Sequence, residues 1–449
     1  MLAKLTEVSL RQQVLVLLAA LALAAGGAWA FATLPIDAYP DISPTQVKMI
    51  LKAPGMTPEE VESRVITPLE MELLGTPRGT MLRSTAKYAI ADITLDFAEG
   101  TDIYWARQQV AERYAAVAPD LPPGVDGGLA PISTPLSDVF MFTLEGGGLS
   151  LAERRSLLDW TLRPALRTLP GVADVNALGG HARSFVVVPD PARLSAAGLH
   201  LRDLADAIER NNRNDGAGRV EAGEETLIVR VEGAIAGADD IAALPVRNGA
   251  SPVRVGDVAE VRTDALTRYG AVTRDGRGEA VQGIVVGLRG ADASTLVRDV
   301  RMRLDELAAA LPPGVRIVPF YDRSALITRA VGTVQDALLE ASVLVVILLL
   351  LFLGELRAAL VVALMLPFAA LATFLLMRTT GMSANLMSLG GLAIAIGMLV
   401  DAAVVVVENV VSRLDPRANG AGMPRLHREL ATTREVATPV AAGILIICL

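Results

Sequence analysis

Long apolar runs alternate with one long polar region along this chain. The apolar runs cover residues 14–33, 337–353, 358–377 and 385–411, and a shorter run covers 436–449. Because a helix needs about 20 mostly apolar residues to cross a bilayer, the first four runs predict membrane-spanning helices, TM1 to TM4. The last run predicts the start of a fifth span. The polar stretch between TM1 and TM2 predicts a large soluble region.

The soluble region contains an internal repeat. The sequence Leu-Pro-Pro-Gly-Val occurs at 121–125 and again at 311–315, each time directly after a helical pattern. Proline cannot continue a helix, so both helices are expected to end there. A stretch of strand-forming residues precedes each helix, at 88–97 and at 280–288. The same order of elements is therefore predicted twice.

This repetition predicts two related α+β modules. The first module is 34–134, and the second consists of 135–179 and 272–330, because a glycine-rich stretch with short strands, 180–271, lies between the two parts. We interpret that stretch as an insertion into the second module. The expected fold class is an α+β membrane protein, in which a transmembrane helix bundle carries a large soluble region of two βαβ-type modules.

Basic residues set the expected orientation. The predicted loop at 412–435 contains five arginines, namely Arg413, Arg417, Arg425, Arg428 and Arg434. Positively charged loops stay in the cytoplasm, and counting back through the spans places residues 1–13 inside and the soluble region outside. A signal peptide is an alternative for 14–33, because Ala28-Trp29-Ala30 resembles a cleavage site. The length of the run favours an uncleaved span.

Two carboxylates interrupt the fourth apolar run. Asp401 has apolar residues on both sides, and a carboxylate near mid-membrane costs at least ~2.5 kcal/mol, so such groups usually mark ion or proton pathways. Glu408 follows seven residues later, close to two helical turns, and is expected on nearly the same helix face. Asp401 is therefore a candidate proton-carrying group. Glu408 is either a second acid of the relay or a helix-end carboxylate that reaches the headgroup region.

Composition argues against several other classes of protein. With a net charge of -8, the chain lacks the basic surface that is typical of a nucleic-acid-binding protein. The only cysteine, Cys448, lies in an apolar run, and the three histidines lack zinc-binding spacing. Since the sequence also contains no phosphate-binding loop and no evident nucleophile–base pair, neither an enzyme nor a bound cofactor is expected.

A set of motifs, in this order and spacing, resembles one known family. The motifs are LPIDAYPDIS at 34–43, EGTDIYWAR at 99–107, YDRS at 321–324, NLMSLGG at 385–391, and Asp401-Ala402-Ala403 through Glu408-Asn409. Over its full length the chain resembles the N-terminal half of a resistance-nodulation-division (RND) efflux permease. Within that superfamily it is similar to the heavy-metal efflux branch, of copper/silver or cobalt/zinc/cadmium type.

The resemblance implies a secondary transporter of the bacterial inner membrane. Such permeases are proton antiporters that use the proton motive force, and a metal ion would be the substrate. The two modules would be porter subdomains, and 180–271 a docking subdomain that faces an outer-membrane channel. The implied partners are two further copies in a homotrimer, a periplasmic membrane-fusion adaptor, the channel protein and the lipid bilayer. Asp401 matches the proton-accepting acid of the fourth span, and Glu408 matches a second acid of the metal branch.

The resemblance leaves the metal ion open. Met387 matches one methionine of the copper and silver members, where thioether sulfur suits monovalent copper, although core packing is the commoner role of such a residue. Leu399, Val406 and Thr267 stand where those members would have methionine. Zinc and cobalt members have an additional aspartate where this chain has Ala395. Neither pattern is complete.

Two other functions stay open at this stage. An RND exporter of drugs or other small organic compounds would usually show two adjacent aspartates where this chain has Asp401-Ala402. A proton-driven protein-export accessory permease is the second alternative. Residues 436–449 are too few to cross a bilayer, so we expect a truncated sequence that does not pump without the second half of the permease.

Overall fold

A computed structural model describes most of the chain. The described residues are 2–34, 37, 39–40, 42–212, 214–222, 225–231, 233–248, 252–268, 270–353, 356–414 and 425–448. Arg417, other parts of the predicted loop at 412–435, and four positions of the motif at 34–43 lie outside them. The chain begins with two helices, α1 (Leu2–Arg11) and α2 (Gln13–Thr33).

The first module is a sheet covered by helices. Its elements are β1 (Gln46–Lys52), α3 (Pro58–Val61), α4 (Thr67–Leu73), β2 (Gly79–Lys87), β3 (Ile90–Phe97), α5 (Ile103–Val117) and β4 (Asp126–Leu129). The strands are antiparallel in the order β2-β3-β1-β4. Because side chains alternate along a strand, Val47, Met49 and Leu51 of β1 all enter the core, where they meet Leu69 and Val110 of the helices.

The second module begins with the same kinds of elements. They are β5 (Asp138–Gly146), α6 (Leu151–Leu157), α7 (Arg163–Arg167) and β6 (Val172–Gly179). In both modules a π-helical segment, Glu62–Ile66 or Leu158–Leu162, precedes a proline, Pro68 or Pro164. Proline has no N–H and its ring clashes with the preceding turn of an α-helix, and a single wide turn relieves this conflict.

The stretch at 180–271 forms its own small unit. Its elements are β7 (Arg183–Pro189), α8 (Pro191–Ala196), α9 (Leu201–Asn211), β8 (Asp215–Ala222), β9 (Glu225–Val231), α10 (Ala238–Ala243), β10 (Pro245–Arg247), β11 (Val253–Arg254), α11 (Val255–Val258) and β12 (Ala259–Ala265). Strand pairs β7–β12, β8–β9 and β10–β11 are antiparallel. Leu194, Leu204, Ile241 and Val258 form a separate core.

The chain then completes the second module. The remaining elements are β13 (Val272–Thr273), β14 (Glu279–Gly287), α12 (Ala293–Ala308) and β15 (Val315–Asp322). Strand β14 pairs with β6 and β5, and β5 pairs with β15. The resulting order, β6-β14-β5-β15, repeats the order β2-β3-β1-β4 of the first module. Both Leu-Pro-Pro-Gly-Val sequences lead into the last strand of their module.

The insertion takes the place of a hairpin turn. In the first module β2 and β3 are joined at Tyr88-Ala89, where Ala89 has a φ of 60°. The corresponding strands of the second module, β6 and β14, are adjacent in the sheet although residues 180–278, which include the inserted unit, separate them in sequence. Because neighbouring antiparallel strands bring their ends together, a large unit can be inserted there without disturbing the sheet. The porter and docking roles stay predictions.

Helices dominate the rest of the chain. They are α13 (Arg323–Leu353), α14 (Leu356–Thr380), α15 (Leu386–Leu414) and α16 (Arg425–Cys448). Among the described residues, four helices are long and apolar enough to cross a membrane, namely α2, α13, α14 and α15. The α+β class with apolar helices is thus confirmed.

Two helices extend beyond the stretches that hydropathy marks. Helix α13 begins at Arg323, fourteen residues before the predicted TM2 at 337–353. Helix α16 begins at Arg425, so that the part of the predicted loop from residue 425 to 435 is helical and not irregular. High hydropathy identifies only the part of a helix that faces lipid. Arg, Leu, Glu and Ala favour a helix in water as well, so the polar ends of α13 and α16 are also helical.

Helix α2 packs closely against α14. Ala30 is fully buried there, and the rings of Phe31 and Phe374 lie 4.9 Å apart. A Cβ atom built on Gly27 would lie 2.4 Å from the carbonyl oxygen of Leu371, whereas one built on Gly26 would only touch Leu375 at 3.6 Å. Gly27 therefore sets the distance between the two helices, as small residues do in membrane bundles.

We expect Gly27→Ala to destabilise the protein and Gly26→Ala not to. Forcing extra atoms into a packed interface costs about 1–3 kcal/mol, whereas alanine in place of glycine in a helix gains about 1 kcal/mol where there is room. Thermal unfolding of the detergent-solubilised variants measures the difference. Equal melting temperatures would show that the contact at Gly27 does not limit the packing of α2 on α14.

We expect Asp138→Asn to stabilise the protein at neutral pH. Burial raises the pKa of Asp138, at the start of β5, so the folded state disfavours its charged form. This cost is absent below the pKa of the unfolded chain, about 3.9, and develops as the pH rises through the folded pKa. The gain in melting temperature should therefore shrink as the pH falls toward 4. The same change at the exposed Asp120 is the control, and a gain independent of pH would contradict this assignment.

Candidate functional site

Helix α15 begins at a defined cap. The side-chain oxygen Oδ1 of Asn385 accepts a hydrogen bond from the backbone N–H of Ser388 at 2.9 Å, and the hydroxyl of Ser388 accepts one from the backbone N–H of Asn385 at 2.8 Å. This reciprocal pair satisfies two of the N–H groups that a helix start leaves without partners. It fixes where the helix that carries Asp401 begins.

One face of α15 packs against the other helices. Leu389, Leu392 and Ile396 are buried in a cluster with residues of α2 and α14. Further along, Ala403 and Val407 pack against α14. At about 100° per residue, these five positions fall on one side of the helix.

The predicted site residues lie on the opposite side. Asp401 and Glu408 are both exposed, and they share their face with the exposed side chains of Met387, Ile394, Met398 and Val405. The helical period places this acid-bearing face roughly 140° from the centre of the packed face. Helices α2, α13 and α14 therefore leave both carboxylates uncovered.

The structure does not bring the three predicted residues into one site. At 1.5 Å per residue, Asp401 lies about 10 Å from Glu408 and about 21 Å from Met387 along the helix axis. A metal ion needs ligands within about 2.6 Å. Met387, in the first turn of α15 and 72% exposed, is therefore remote from the carboxylates. The three residues share a face but not a ligand set.

The described residues offer no evident metal site. No group of three or more His, Cys, Asp or Glu side chains among them could hold a metal ion. Leu399, where copper members would have methionine, lines a small apolar cavity between α14 and α15 together with Met365. Sequence reasoning did not single out Met365, because its place beside Leu399 depends on how the two helices pack.

The other end of α15 is attached to α16. The side-chain amide of Asn409 donates a hydrogen bond to the backbone carbonyl of Thr432 at 3.1 Å, and Thr432 is buried. Nearby, Arg434 of α16 forms an ion pair with Glu7 of α1 at 3.2 Å. Glu408 thus lies next to the contact that joins the far end of α15 to neighbouring helices.

An ion pair between a buried arginine and a partly exposed aspartate joins the soluble modules to the membrane helices. Arg323, the first residue of α13, has a side chain only 7% exposed, and its Nη2 lies 2.7 Å from Oδ1 of Asp37. Its Nε donates to the same oxygen at 2.8 Å, and its Nη1 donates to the backbone carbonyl of Leu136. The backbone N–H of Asp37 in turn donates to the carbonyl of Ala384 at 2.9 Å, directly before the cap of α15.

Sequence reasoning missed this pair. Asp37 and Arg323 lie in the motifs at 34–43 and 321–324, but nothing local connects positions 286 residues apart. One signal was available. Asp37 follows the first predicted span, and Arg323 precedes the second, an order that is consistent with both charges near the same membrane boundary.

Hydrogen bonds and an ion pair of Asp322 fix the end of β15, directly before Arg323. The carboxylate of Asp322 accepts hydrogen bonds from the hydroxyl of Ser324 at 2.6 Å and from its backbone N–H at 2.8 Å, and it also binds Arg301. Burial alone would raise the pKa of Asp322, but the hydrogen bonds from Ser324, Arg301 and Ala325 lower it. This carboxylate therefore stays charged at neutral pH and stabilises the direct transition from β15 into α13.

A cavity of about 160 Å³, lined by both polar and apolar residues, lies beside the ion pair. Its lining includes Asp37, Arg323, Ser137, Arg289, Asp292 and Ser383. Arg289, in the turn before α12, donates a hydrogen bond to the carbonyl of Ser43 at 2.7 Å, in the segment that leads from Asp37 to β1. The second module therefore contacts this segment at two arginines.

Comparisons with known proteins extend over the whole chain. A profile of the AcrB/AcrD/AcrF family matches residues 5–449. The cobalt-zinc-cadmium resistance protein CzcA of Cupriavidus metallidurans is 38% identical over an alignment of 462 positions, which covers 100% of this chain and 43% of that protein. The cation efflux system protein CusA of Escherichia coli (strain K12) is 37% identical over 411 residues, which are 91% of this chain and 39% of that protein.

A solved structure agrees with these sequence relatives. A crystal structure of a heavy metal efflux pump superposes with a TM-score of 0.86 and 33% identity, over 99% of this chain and 43% of that chain. The chain thus spans less than half of the length of each of these relatives. It belongs to the AcrB/AcrD/AcrF family, the resistance-nodulation-division efflux permeases, and within them to the heavy-metal efflux branch.

Proposed function

We propose that the chain is the proton-carrying part of an inner-membrane permease that exports heavy-metal cations by proton antiport. One observation carries this proposal, namely that a chain similar along its whole length to cation efflux proteins has Asp401 inside the apolar helix α15. A carboxylate is too costly at that depth to be kept there without a role.

The position of Asp401 supports a role in proton transfer. The acid-bearing face of α15 is turned away from α2, α13 and α14, so it is available to helices or water outside the described chain. A carboxylate taken out of water holds a proton more strongly, and a nearby cation weakens that hold. A change of partner at this face can therefore load and release a proton.

Proton binding can bias the soluble modules because α15 is connected to them. Its start is joined to Asp37 through the carbonyl of Ala384, and Leu386 packs against the core of the second module. A proton that enters from the periplasm then shifts a two-state conformational equilibrium, provided that the two states differ in proton affinity. Helix α15 is the element that carries this difference.

The metal and the assembly belong to the same proposal. The relatives' names point to cobalt, zinc and cadmium in one case and to unspecified cations in another, and Met387 stays a candidate ligand for a soft ion. We propose that the pump works as a homotrimer with a periplasmic adaptor and an outer-membrane channel. The unit at 180–271 would face that channel. The metal ion is the substrate, and the proton motive force supplies the energy.

We expect Asp401→Asn to abolish export. Asparagine has a similar size but cannot take up a proton, so the full-length gene product should insert in the membrane and yet fail to move metal. The measurement is survival of a metal-sensitive bacterial strain on zinc, cobalt, copper and silver, with export reduced to the level of an empty vector. The same change at the exposed Asp336, one residue outside the predicted TM2, is the control and should keep resistance.

The same panel decides between the candidate functions. Metal resistance that survives Asp401→Asn would contradict proton transfer at this residue. Resistance to organic drugs without resistance to metals would favour the drug exporter. A strain that shows neither resistance but loses a secreted protein would favour the export accessory permease.

We expect Glu408→Gln to slow export by about tenfold, which corresponds to about 1.4 kcal/mol in the barrier. Glu408 shares the exposed face with Asp401, two turns away, and would pass protons between that residue and the cytoplasmic end of α15. Initial rates of metal export from loaded cells measure this. An unchanged rate would assign Glu408 to the headgroup region as a helix-end carboxylate.

A further inference from the structure

We propose that Asp37 and Arg323 are a positioning pair for transport, which holds the start of α15 on the second module so that the two move together. The inference rests on the proposed proton-driven export, because it says how a proton on α15 affects a module outside the membrane. It assigns this task to one ion pair at the membrane boundary.

Arg323 belongs mechanically to the second module. Strand β15 ends at Asp322, and α13 begins at the next residue. The carboxylate of Asp322 caps the helix, and Ile327, one turn further on, is buried in the core of the module. Since no flexible linker separates β15 from α13, the guanidinium of Arg323 follows any motion of that sheet.

Asp37 belongs to the other side of the contact. Its backbone N–H is bonded to the carbonyl of Ala384, Ala384 is buried, and Asn385 caps α15. One backbone hydrogen bond and the cap at the next residue thus join Asp37 to the helix that carries Asp401. The ion pair is the side-chain contact that connects this group to Arg323.

The chemistry of the pair favours one defined arrangement. Two nitrogens of the guanidinium bind Oδ1 of Asp37, and the third binds the carbonyl of Leu136. The planar fork of arginine can make these bonds together, whereas the single ammonium of lysine cannot match that geometry. The buried guanidinium is strongly destabilised when it loses its partner. The pair therefore favours the arrangement in which the start of α15 is bound to the module over intermediate positions.

The cavity beside the ion pair has room for the side chains of Asp37 and Arg323 when they separate. It is about 160 Å³ in volume and is lined by both apolar and charged residues, and it has room for several water molecules. The other charged groups that line it are Arg289 and Asp292, both from the turn at the start of α12. Release of Asp37 from Arg323 would therefore leave its carboxylate in a hydrated and charged surrounding, and not in an apolar core.

Removing the link should uncouple transport without abolishing it. In a coupled pump, metal bound to the modules and protons bound to α15 change each other's affinity by the same factor, typically about fivefold or more. With Asp37→Asn the charge is lost while the size is kept, so protons should pass without moving metal. Substitution of a residue with a purely structural role would reduce the amount of active protein but would leave the number of protons used per metal ion unchanged.

The experiment measures that ratio in vesicles containing the full-length gene product. An imposed proton gradient drives Zn²⁺, Co²⁺ or Ag⁺, tested in turn, while one dye reports the metal and a second reports pH. We expect Asp37→Asn to increase the protons moved per metal ion by about twofold or more. Arg323→Lys, which keeps the charge and loses the fork, should give a smaller increase, and it serves if Asp37→Asn does not fold.

A matched ion pair within one module provides the control. Arg83 and Asp96 join β2 to β3 at 2.9 Å, and the carboxylate is 12% exposed. Asp96→Asn therefore breaks an ion pair that crosses no boundary and in which the carboxylate, not the 56%-exposed arginine, is the buried partner, and it should lower the yield of protein but leave the ratio unchanged. An unchanged ratio in Asp37→Asn, with a lower rate only, would overturn the proposal.

A second measurement does not depend on transport. Hydrogen exchange should become faster at residues 384–389 in Asp37→Asn, and in β2 and β3 only in Asp96→Asn. No change at 384–389 would contradict the positioning role even if the protein moves no metal. A wild-type protein that fails to exchange protons for any metal, but shows the expected hydrogen exchange, would instead overturn the proposed function and leave the positioning role supported.

Discussion

A buried cation at the membrane boundary imposes order on the surrounding segments. Arg323 is almost fully enclosed, and a guanidinium in that position needs a partner for each of its nitrogens. Those partners come from the segment after α2, from Leu136 just before β5 of the second module, and, through Asp37, from the residues before α15. Segments that are distant in sequence therefore meet at this one charge, at the boundary between the modules and the membrane helices.

The soluble region has a simple plan once its sheets are compared. Both modules have the same strand order, and the second carries a complete additional unit where the first has a two-residue turn. An insertion between adjacent antiparallel strands leaves the hydrogen-bonded ladder intact, because both ends of the inserted unit meet at one edge. The paired π-helical segments before Pro68 and Pro164 show that the similarity extends to a local distortion. Each module therefore keeps its own core.

Helix α15 combines two requirements on opposite faces. The face with Leu389, Leu392 and Ile396 supplies packing against α2 and α14, and the face with Asp401 and Glu408 stays uncovered. A helix that was buried on all sides could not change the surroundings of its carboxylates, and one without a packed face would not be held in place. The chain is similar to cation efflux proteins, and the start of α15 is attached at Asp37. Both observations fit the proposal that protonation of one face of α15 changes the contacts at the start of the helix.

The sequence alone determined the features that depend on neighbouring residues. The apolar runs predicted the four helices long enough to span a membrane, the Leu-Pro-Pro-Gly-Val repeats marked equivalent positions in the two modules, and the seven-residue spacing placed Asp401 and Glu408 on one face. Tertiary structure decided the rest, namely the strand order, the start of α16 at Arg425, the separation of Met387 from the acids and the partner of Arg323. Hydropathy and helical period act over a few residues, whereas a contact between Asp37 and Arg323 depends on how two helices and two modules pack, which no local pattern specifies.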